Sequence, residues 1–377
     1  MKKMFKSEIK TAALCVMAAA AVLASCDDND DRWSWQDEGS KIELARTRGF
    51  VLNEGSYGEN NAHLGCFNFT DDRMYGSTTT DIYEIQNGRK IGDTGQDIIA
   101  YKGSLYMAVY NSNYVVKLNG VGKEEARVSF ASMEDLGQVR GLAAGSGYIY
   151  VTSYGGYVSR LDASTLKYEG SVQVGKNPEQ VTVTDGKVYC VNSGWGYDNR
   201  MSVIDEKSFD KAEQVEIMTN PQSIVASGGK IVVCGYGSAD YTQYTNPVQV
   251  YDPRTGKLTD IGKGTHIAGN GGTLYVAYTT TDYSTQPYTG TTEVYSYNLN
   301  TGAKDTGVLK DMPEELKKST VYGISVSGIT GDIYICTTNF VWGDGTVYHF
   351  NAQGKYVGKF ASGGQNPKRV VFLTEVE

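Results

Sequence analysis

The chain has 377 residues, and 35 Lys and Arg against 43 Asp and Glu give a formal net charge of −8 at pH 7. This balance excludes the basic surface on which nucleic-acid binding depends. Hydrophobic residues make up 40% of the chain and charged residues 21%, as in ordinary globular proteins. The 45 Gly and 28 Tyr, with only 7 Pro, predict many short strands joined by tight turns.

The first 25 residues are predicted to be a lipoprotein signal peptide. Residues 1–10 carry four Lys, and the apolar run over 11–24 is too short to span a bilayer. The run ends in Leu23-Ala24-Ser25-Cys26, which resembles a bacterial lipobox. In such signals the peptide is cut before the cysteine, which is then acylated. We therefore predict a lipid anchor at Cys26; an ordinary secretory signal with an incidental cysteine is the alternative.

An acidic, polar segment over 26–46 follows the predicted anchor. It opens with Asp27-Asp28-Asn29-Asp30-Asp31, which predicts a solvated and self-repelling tether. The run also resembles the acidic segment that sends lipoproteins of Bacteroidetes to the outer cell surface. We therefore expect a protein that touches the outer membrane through its lipid alone and faces the cell exterior. A simple spacer is the alternative.

The cysteines predict neither a zinc site nor a redox site. Beyond Cys15 and Cys26, most of the others lie in apolar, strand-like runs, and no CxxC motif occurs. We expect them to be small buried thiols. The four are Cys66, Cys190, Cys234 and Cys336.

The rest of the chain consists of repeats of one sequence pattern, which we call the phrase. A polar entry leads into an apolar strand, a glycine turn and a second apolar strand that carries Tyr or Val. Blades of four strands need about 40–50 residues each, and the anchors recur at about that spacing. The six anchors are Tyr106, Tyr150, Tyr189, Val232, Tyr275 and Tyr334. The one helix candidate is a short insertion over 313–318.

The two ends of the chain supply a seventh, split phrase. Residues 366–373 match the opening of a unit, and the missing second strand lies at 49–55. We expect the last strand to pair with the first ones, which closes a ring and removes exposed sheet edges. A solenoid would need polar caps at both ends. The prediction is an all-β, seven-bladed β-propeller of four-stranded antiparallel blades, forming one domain over 47–377.

Each predicted blade places aromatic side chains on one face. In a meander blade, the start of the first strand and the loop between the second and third strands share that face. Each such loop mixes an aromatic with Asn, Gly or Ser, which suits a large, flat or sugar-like ligand. The alternative is that these rings only cover the blades. The candidate ligand-binding residues are Tyr57, Tyr110, Arg140, Tyr154, Trp195, Tyr197, Tyr236, Tyr241, Tyr283, Tyr288, Tyr322 and Trp342.

Further polar side chains are expected around the central axis, at the strand entries. They are Gln96, Arg140, Gln180, Gln222, His266, Tyr322 and Arg369. The chain has three His and carries no P-loop, GxSxG or HExxH motif, so we expect no enzyme, no catalytic cofactor and no metal site. A glycosidase-like pair among Glu54, Asp97, Glu179 and Asp198 stays open, and with it a carbohydrate-active enzyme or a lyase.

Several motifs resemble a known family. Phe50–Gly55 with Asn61-Ala62, Asn87–Asp93 with Gln96, and Asn111-Ser112-Asn113 resemble the surface lipoprotein propellers of Bacteroides that capture cobalamin. The chain is also similar to YncE-type propellers. The resemblance is sharpest over 50–115 and is at the level of the repeat from 116 to 377.

This resemblance implies a seven-bladed propeller that binds a corrinoid, such as cobalamin, on its loop face. It also implies delivery of the ligand to a TonB-dependent outer-membrane transporter. No binding residue is carried over, because the ligand-facing loops lie mainly where the match is weak. A glycan or a siderophore as the ligand, and a purely structural plug on a transporter, stay open.

Overall fold

The computed structural model describes residues 39–75, 80–240 and 242–373, which form seven four-stranded antiparallel sheets. The first strands of successive sheets contact one another in order, and the last of them returns to the first sheet. The sheets are therefore the blades of a closed ring. The predicted seven-bladed propeller is confirmed. The predicted signal peptide, Cys26 and most of the tether lie outside the described residues.

The strands come in chain order. The first half is β1 (Arg48–Asn53), β2 (His63–Asn68), β3 (Arg73–Met74), β4 (Gly95–Tyr101), β5 (Ser104–Val109), β6 (Tyr114–Leu118), β7 (Glu124–Ser129), β8 (Val139–Gly145), β9 (Tyr148–Ser153), β10 (Tyr157–Asp162), β11 (Tyr168–Gln173), β12 (Pro178–Thr184), β13 (Lys187–Asn192) and β14 (Arg200–Asp205). The second half is β15 (Ala212–Glu216), β16 (Pro221–Ser227), β17 (Lys230–Gly235), β18 (Pro247–Asp252), β19 (Lys257–Lys263), β20 (His266–Asn270), β21 (Thr273–Asp282), β22 (Thr289–Asn298), β23 (Lys304–Asp305), β24 (Thr320–Val326), β25 (Ile333–Thr338), β26 (Thr346–Phe350), β27 (Tyr356–Ala361) and β28 (Pro367–Leu373).

Blade 1 joins the two ends of the described chain. It contains β28, β1, β2 and β3 in that order from the axis, and each later blade takes the next four strands. The pairing of β28 with β1 runs from Arg48 opposite Leu373 to Asn53 opposite Pro367. The N–H of Glu54 continues it by donating to the carbonyl of Asn366 at 2.9 Å. The predicted closure by the C-terminal strand is confirmed.

The core lies between the faces of neighbouring blades. Every residue of β1 is buried because blade 1 is covered on both sides, whereas β7 at the periphery alternates between half-buried and exposed residues. The four cysteines are free and buried, and burial raises the pKa of each thiol. The prediction of small buried thiols is therefore confirmed.

Two short helices interrupt the meanders. Helix α1 (Ile82–Asn87) begins at Asp81, whose carboxylate accepts from the N–H groups of Tyr83 and Glu84. It packs against β2 and β7, beside the two-residue strand β3. Helix α1 was not predicted, because six residues give too little periodicity to detect. Helix α2 (Glu314–Lys317) lies within the predicted insertion. None of the helices in the described ranges has the length and hydropathy to cross a membrane.

A histidine links blades 7 and 1, on the face opposite the loops that join the second and third strands of each blade. His349 of blade 7 contacts Asp72 of blade 1 through Nδ1 at 2.7 Å and Asp332 through Nε2 at 3.0 Å. Its ring stacks on Tyr334 with 4.5 Å between centroids. Burial alone would lower the pKa of His349, but the two carboxylates raise it above its ordinary value.

This pKa shift predicts a pH-dependent stability. The folded protein holds His349 protonated to a higher pH than the unfolded chain does. Its stabilising effect is therefore complete below the unfolded pKa and is lost as the pH rises through the folded pKa. We expect the free energy of unfolding to fall more steeply above about pH 6.5 in the wild type than in His349→Gln. Urea denaturation at several pH values measures both profiles, and parallel profiles would contradict this assignment.

Candidate ligand-binding face

The loop face consists of the starts of the innermost strands and the loops that join the second and third strands of each blade. The register places both on one side, as in Gly95 opposite Val109 and His266 opposite Ala277. All the candidate residues within the described ranges lie on this face. Tyr241 lies outside those ranges. That these residues contact a ligand stays a prediction.

An aromatic row crosses blades 2, 3 and 4 and consists of Tyr110, Tyr154 and Trp195. The ring of Tyr154 lies 5.7 Å from that of Tyr110 and 5.4 Å from that of Trp195, measured between centroids. Trp195 is 61% exposed, at the outer end of the row. Its φ of 57° lies in the left-handed region, between Gly194 and Gly196, which also have positive φ. The loop thus holds a strained backbone that presents an indole to solvent.

A buried ion pair supports the row from below. The guanidinium of Arg140 lies 4.8 Å from the ring centroid of Tyr154 and donates to Glu179 Oε2 through Nε at 3.0 Å. Glu179 also accepts from the hydroxyls of Tyr154 at 3.2 Å and Ser193 at 2.9 Å. Burial and the Glu179 charge raise the pKa of Tyr154, so its hydroxyl stays a donor. Arg140 further donates to Gln96 at 2.7 Å, and this network fixes the row across blades.

An aromatic cluster lies on blades 6 and 7 and consists of Tyr283, Tyr288, Phe340 and Trp342. Tyr288 is at its centre, with its ring 5.0 Å from Tyr283, 5.1 Å from Phe340 and 4.4 Å from Trp342. Tyr283 is 66% exposed and Trp342 44%. Phe340 was not among the predicted residues. Its position between Asn339 and Trp342, in a loop of the same face, could have identified it.

Four further tyrosines lie on the same face. Tyr236 stacks on Tyr244 in the blade 5 loop, with 4.2 Å between centroids and 18° between planes. Tyr244 was not among the candidate residues, although the same loop supplied two of them. Tyr57 and Tyr197 are the most exposed large aromatics of the described chain, at 72% and 83%.

A central channel of about 860 Å³ opens on the loop face. It runs along the innermost strands, from His266 at this mouth to Val326 and Ile329 near the other end. Tyr236, Tyr283 and Phe340 contribute to its lining, so the cluster borders the mouth. Arg140 and Glu179 line it beneath the row. The channel mouth therefore lies between the two sets of aromatics.

Ion pairs and hydrogen bonds brace this mouth, within blade 1 and between blades. Glu54 of blade 1 accepts from the Tyr322 hydroxyl of blade 7 at 2.8 Å and from Lys368 Nζ of its own blade at 3.1 Å. Asp97 accepts from Arg369 Nη1 at 2.5 Å and also from a backbone N–H of blade 3. Three of the candidate ligand contacts, Arg140, Tyr154 and Tyr322, thus have internal partners. They shape the rim on which the exposed rings stand.

Asp198, the last of the candidate carboxylates, is paired with a neighbouring arginine. Asp198 accepts two hydrogen bonds from Arg200, each at 2.7 Å. Within residues 39–75, 80–240 and 242–373, no group of three or more His, Cys, Asp or Glu side chains is placed to hold a metal ion.

Comparison with known proteins places the chain in a family. The family described as a domain of unknown function, DUF5074, matches residues 48–372, which is the ring from β1 to β28. The chain belongs to the DUF5074 family. The description of the family names no activity. No curated protein sequence matches the chain.

Solved structures share the propeller fold with this DUF5074 protein at low identity. A quinoprotein alcohol dehydrogenase-like protein from Bacteroides thetaiotaomicron is 15% identical, with 86% of this chain and 78% of that chain covered and a TM-score of 0.56. The WD40 domain of Neurospora crassa Pan2 is 11% identical, with 78% and 93% covered and a TM-score of 0.55. Apo AztD from Citrobacter koseri is 9% identical, with 88% and 98% covered and a TM-score of 0.54. Such identities support the fold alone.

Proposed function

We propose that this DUF5074 propeller is a capture module that binds a large, partly planar ligand on its loop face. One observation carries the proposal: exposed aromatic rings on two sides of the channel mouth are held in place by contacts beneath them. Rings fixed before binding lose little conformational entropy when a ligand arrives. Tyr and Trp also combine apolar area with a polar edge, which suits a ligand that has both.

The ligand that we propose is a corrinoid, with cobalamin as the leading example. A corrinoid is a broad macrocycle fringed with amide groups. The exposed faces of Trp195 and Tyr283 offer apolar area for the macrocycle, and Gln222 at the mouth offers amide hydrogen bonds. Support also comes from the resemblance of residues 50–115 to cobalamin-capturing lipoprotein propellers. A glycan or a siderophore is the second candidate, because aromatic faces suit sugars and catechols equally well.

Anchoring and delivery complete the proposal. Acylation of Cys26 would hold the propeller at the outer membrane, facing the exterior, and a TonB-dependent transporter would receive the ligand. The acidic run Asp27–Asp31 supports an exposed tether. This part of the proposal comes from the sequence and its resemblance.

We propose capture rather than catalysis because the carboxylates at the mouth are already engaged. Glu54 is held by Lys368 and Tyr322, and Glu179 by Arg140. A glycosidase or a lyase needs a carboxyl group that is available to a substrate proton or carbon. Either carboxylate would have to exchange its present partners for a substrate before it could act as a catalyst.

Calorimetric titration of the lipid-free mature protein with cyanocobalamin tests the proposal. We expect saturable heat at one ligand per protein, because the ring has a single loop-face mouth. Ile329→Ala is the matched control, since Ile329 is 48% exposed at the other end of the channel. This variant should bind as the wild type does. No heat and no thermal shift at high ligand concentration would reject the corrinoid, and titration with glycans and siderophores would then decide between the other ligands.

A further inference from the structure

His266 lies at the floor of the loop face, where the channel begins. It is the first residue of β20, is half-buried, and lines the mouth with Gln222, Tyr322 and Lys368. The hairpin of β21 and β22 continues past Ala277, the partner of His266, as far as Asp282. Five residues of strand extend about 16 Å, so this hairpin forms a wall above the imidazole. A large ligand on the loop face would therefore have His266 beneath it.

Thr265 holds this imidazole by its Nδ1 edge. Thr265 Oγ1 contacts the carbonyl of Ala277 at 3.1 Å and accepts from the N–H of Thr279 at 3.2 Å. The same carbonyl also accepts from the Thr265 N–H at 2.8 Å. Thr265 Oγ1 lies 3.1 Å from His266 Nδ1. In the tautomer in which Nδ1 donates to this oxygen, the lone pair of the ring is on Nε2.

The surroundings also keep the ring neutral. Burial, together with the positive charge of Lys368, lowers the pKa of His266 to about 4. Lys368 is itself held in place by Glu54 at 3.1 Å. A neutral imidazole whose Nδ1–H is bonded to a fixed oxygen is the form in which histidine binds metals. In the described ranges His266 belongs to no group of three or more metal-binding side chains. A single nitrogen suits a metal whose other positions are filled by the ligand itself.

We propose that Nε2 of His266 coordinates the cobalt of a captured corrinoid, at the axial position that an exchangeable water occupies. The inference rests on the proposed capture function and deepens it. In this step one Co–O bond breaks, one Co–N bond forms, and the water leaves into the channel. The oxidation state of cobalt does not change, and no proton moves when Nδ1 is the protonated nitrogen, because Nε2 then carries none. The protein would then favour corrinoids with a labile axial ligand over those in which that position is blocked.

Two corrinoid probes separate coordination from capture. In aquocobalamin water holds the axial position, whereas in cyanocobalamin cyanide blocks it. We expect aquocobalamin to show a shift of its visible corrin bands that saturates at one equivalent of the lipid-free mature protein. His266→Ala should lose the shift, whereas Ile329→Ala, at the other end of the channel, should keep the wild-type affinity for cyanocobalamin. His349→Gln is the matched control, because this histidine lies on the opposite face, and it should keep the shift.

Each outcome is decisive. Binding of both corrinoids by the wild type without a shift overturns the coordination and leaves the capture function standing. A shift that persists in His266→Ala overturns it as well. Failure of both corrinoids to bind rejects the corrinoid as the ligand and overturns this inference with it. Thr265→Val adds a geometric check: without the oxygen that holds Nδ1, the shift should saturate at higher protein concentration.

Discussion

Replacing Trp195 with Ala is expected to weaken ligand binding by about 1–3 kcal/mol, the cost of removing an aromatic anchor from an interface. The melting temperature should change little, because the side chain is 61% exposed and projects from blade 4. The contact with Tyr154 at 5.4 Å makes the indole the outer end of a supported row. Calorimetric titration with cyanocobalamin, alongside a thermal melt of each protein, measures both quantities.

Tyr283→Ala locates the site within the face. Tyr283 belongs to the aromatic cluster on blades 6 and 7, is 66% exposed and contributes to the channel mouth. A ligand that spans the mouth should lose affinity in both variants. A loss in Tyr283→Ala alone would confine the site to the cluster, and would show that the row over blades 2–4 only covers the propeller. Val357→Ala, an exposed change on the outer strand β27, serves as the control that should leave binding unaltered.

The ring could be predicted from the sequence because each blade is a local meander. The recurring strand, glycine turn and Tyr phrase pairs residues that are close in the chain, such as Leu105 with Ala100. The closure joins residues that are far apart in the chain. It could be predicted because the split phrase at 366–373 and 49–55 leaves each end without the strand that the other end supplies. Helix α1 escaped prediction because its stability depends on packing against β2 and β7, which no local pattern encodes.

The candidate site was less predictable, because its contacts join different blades. Their place in the repeat marked Tyr110, Tyr154 and Trp195 as face residues. The bond between Arg140 and Glu179, 39 residues apart, depends on how blade 3 meets blade 4. The contact between His266 Nδ1 and Thr265 Oγ1 likewise has no sequence signature. The grouping of the aromatic side chains into a row and a cluster depends on how the blades are arranged around the closed propeller.

Arg140→Met is expected to lower the free energy of unfolding by about 3 kcal/mol, because it leaves a buried carboxylate without its cation. The side chain of Glu179 is 7% exposed and that of Arg140 is 20% exposed, which places the cost at the low end for a buried pair. The aromatic row loses its support in the same variant, since the guanidinium lies against the rings of Tyr110 and Tyr154. Urea denaturation monitored by tyrosine and tryptophan fluorescence measures the stability.

The partner substitution separates the unpaired charge from the lost packing. In Arg140→Met with Glu179→Gln, the amide can still accept from Ser193 and Tyr154, and no charge remains buried. The double variant should therefore recover much of the stability that Arg140→Met loses. Equal losses in both proteins would mean that packing beneath the row, rather than the charge of Glu179, accounts for the effect. In that case ligand affinity should fall with stability in the two variants alike, because the same rings form the proposed binding face.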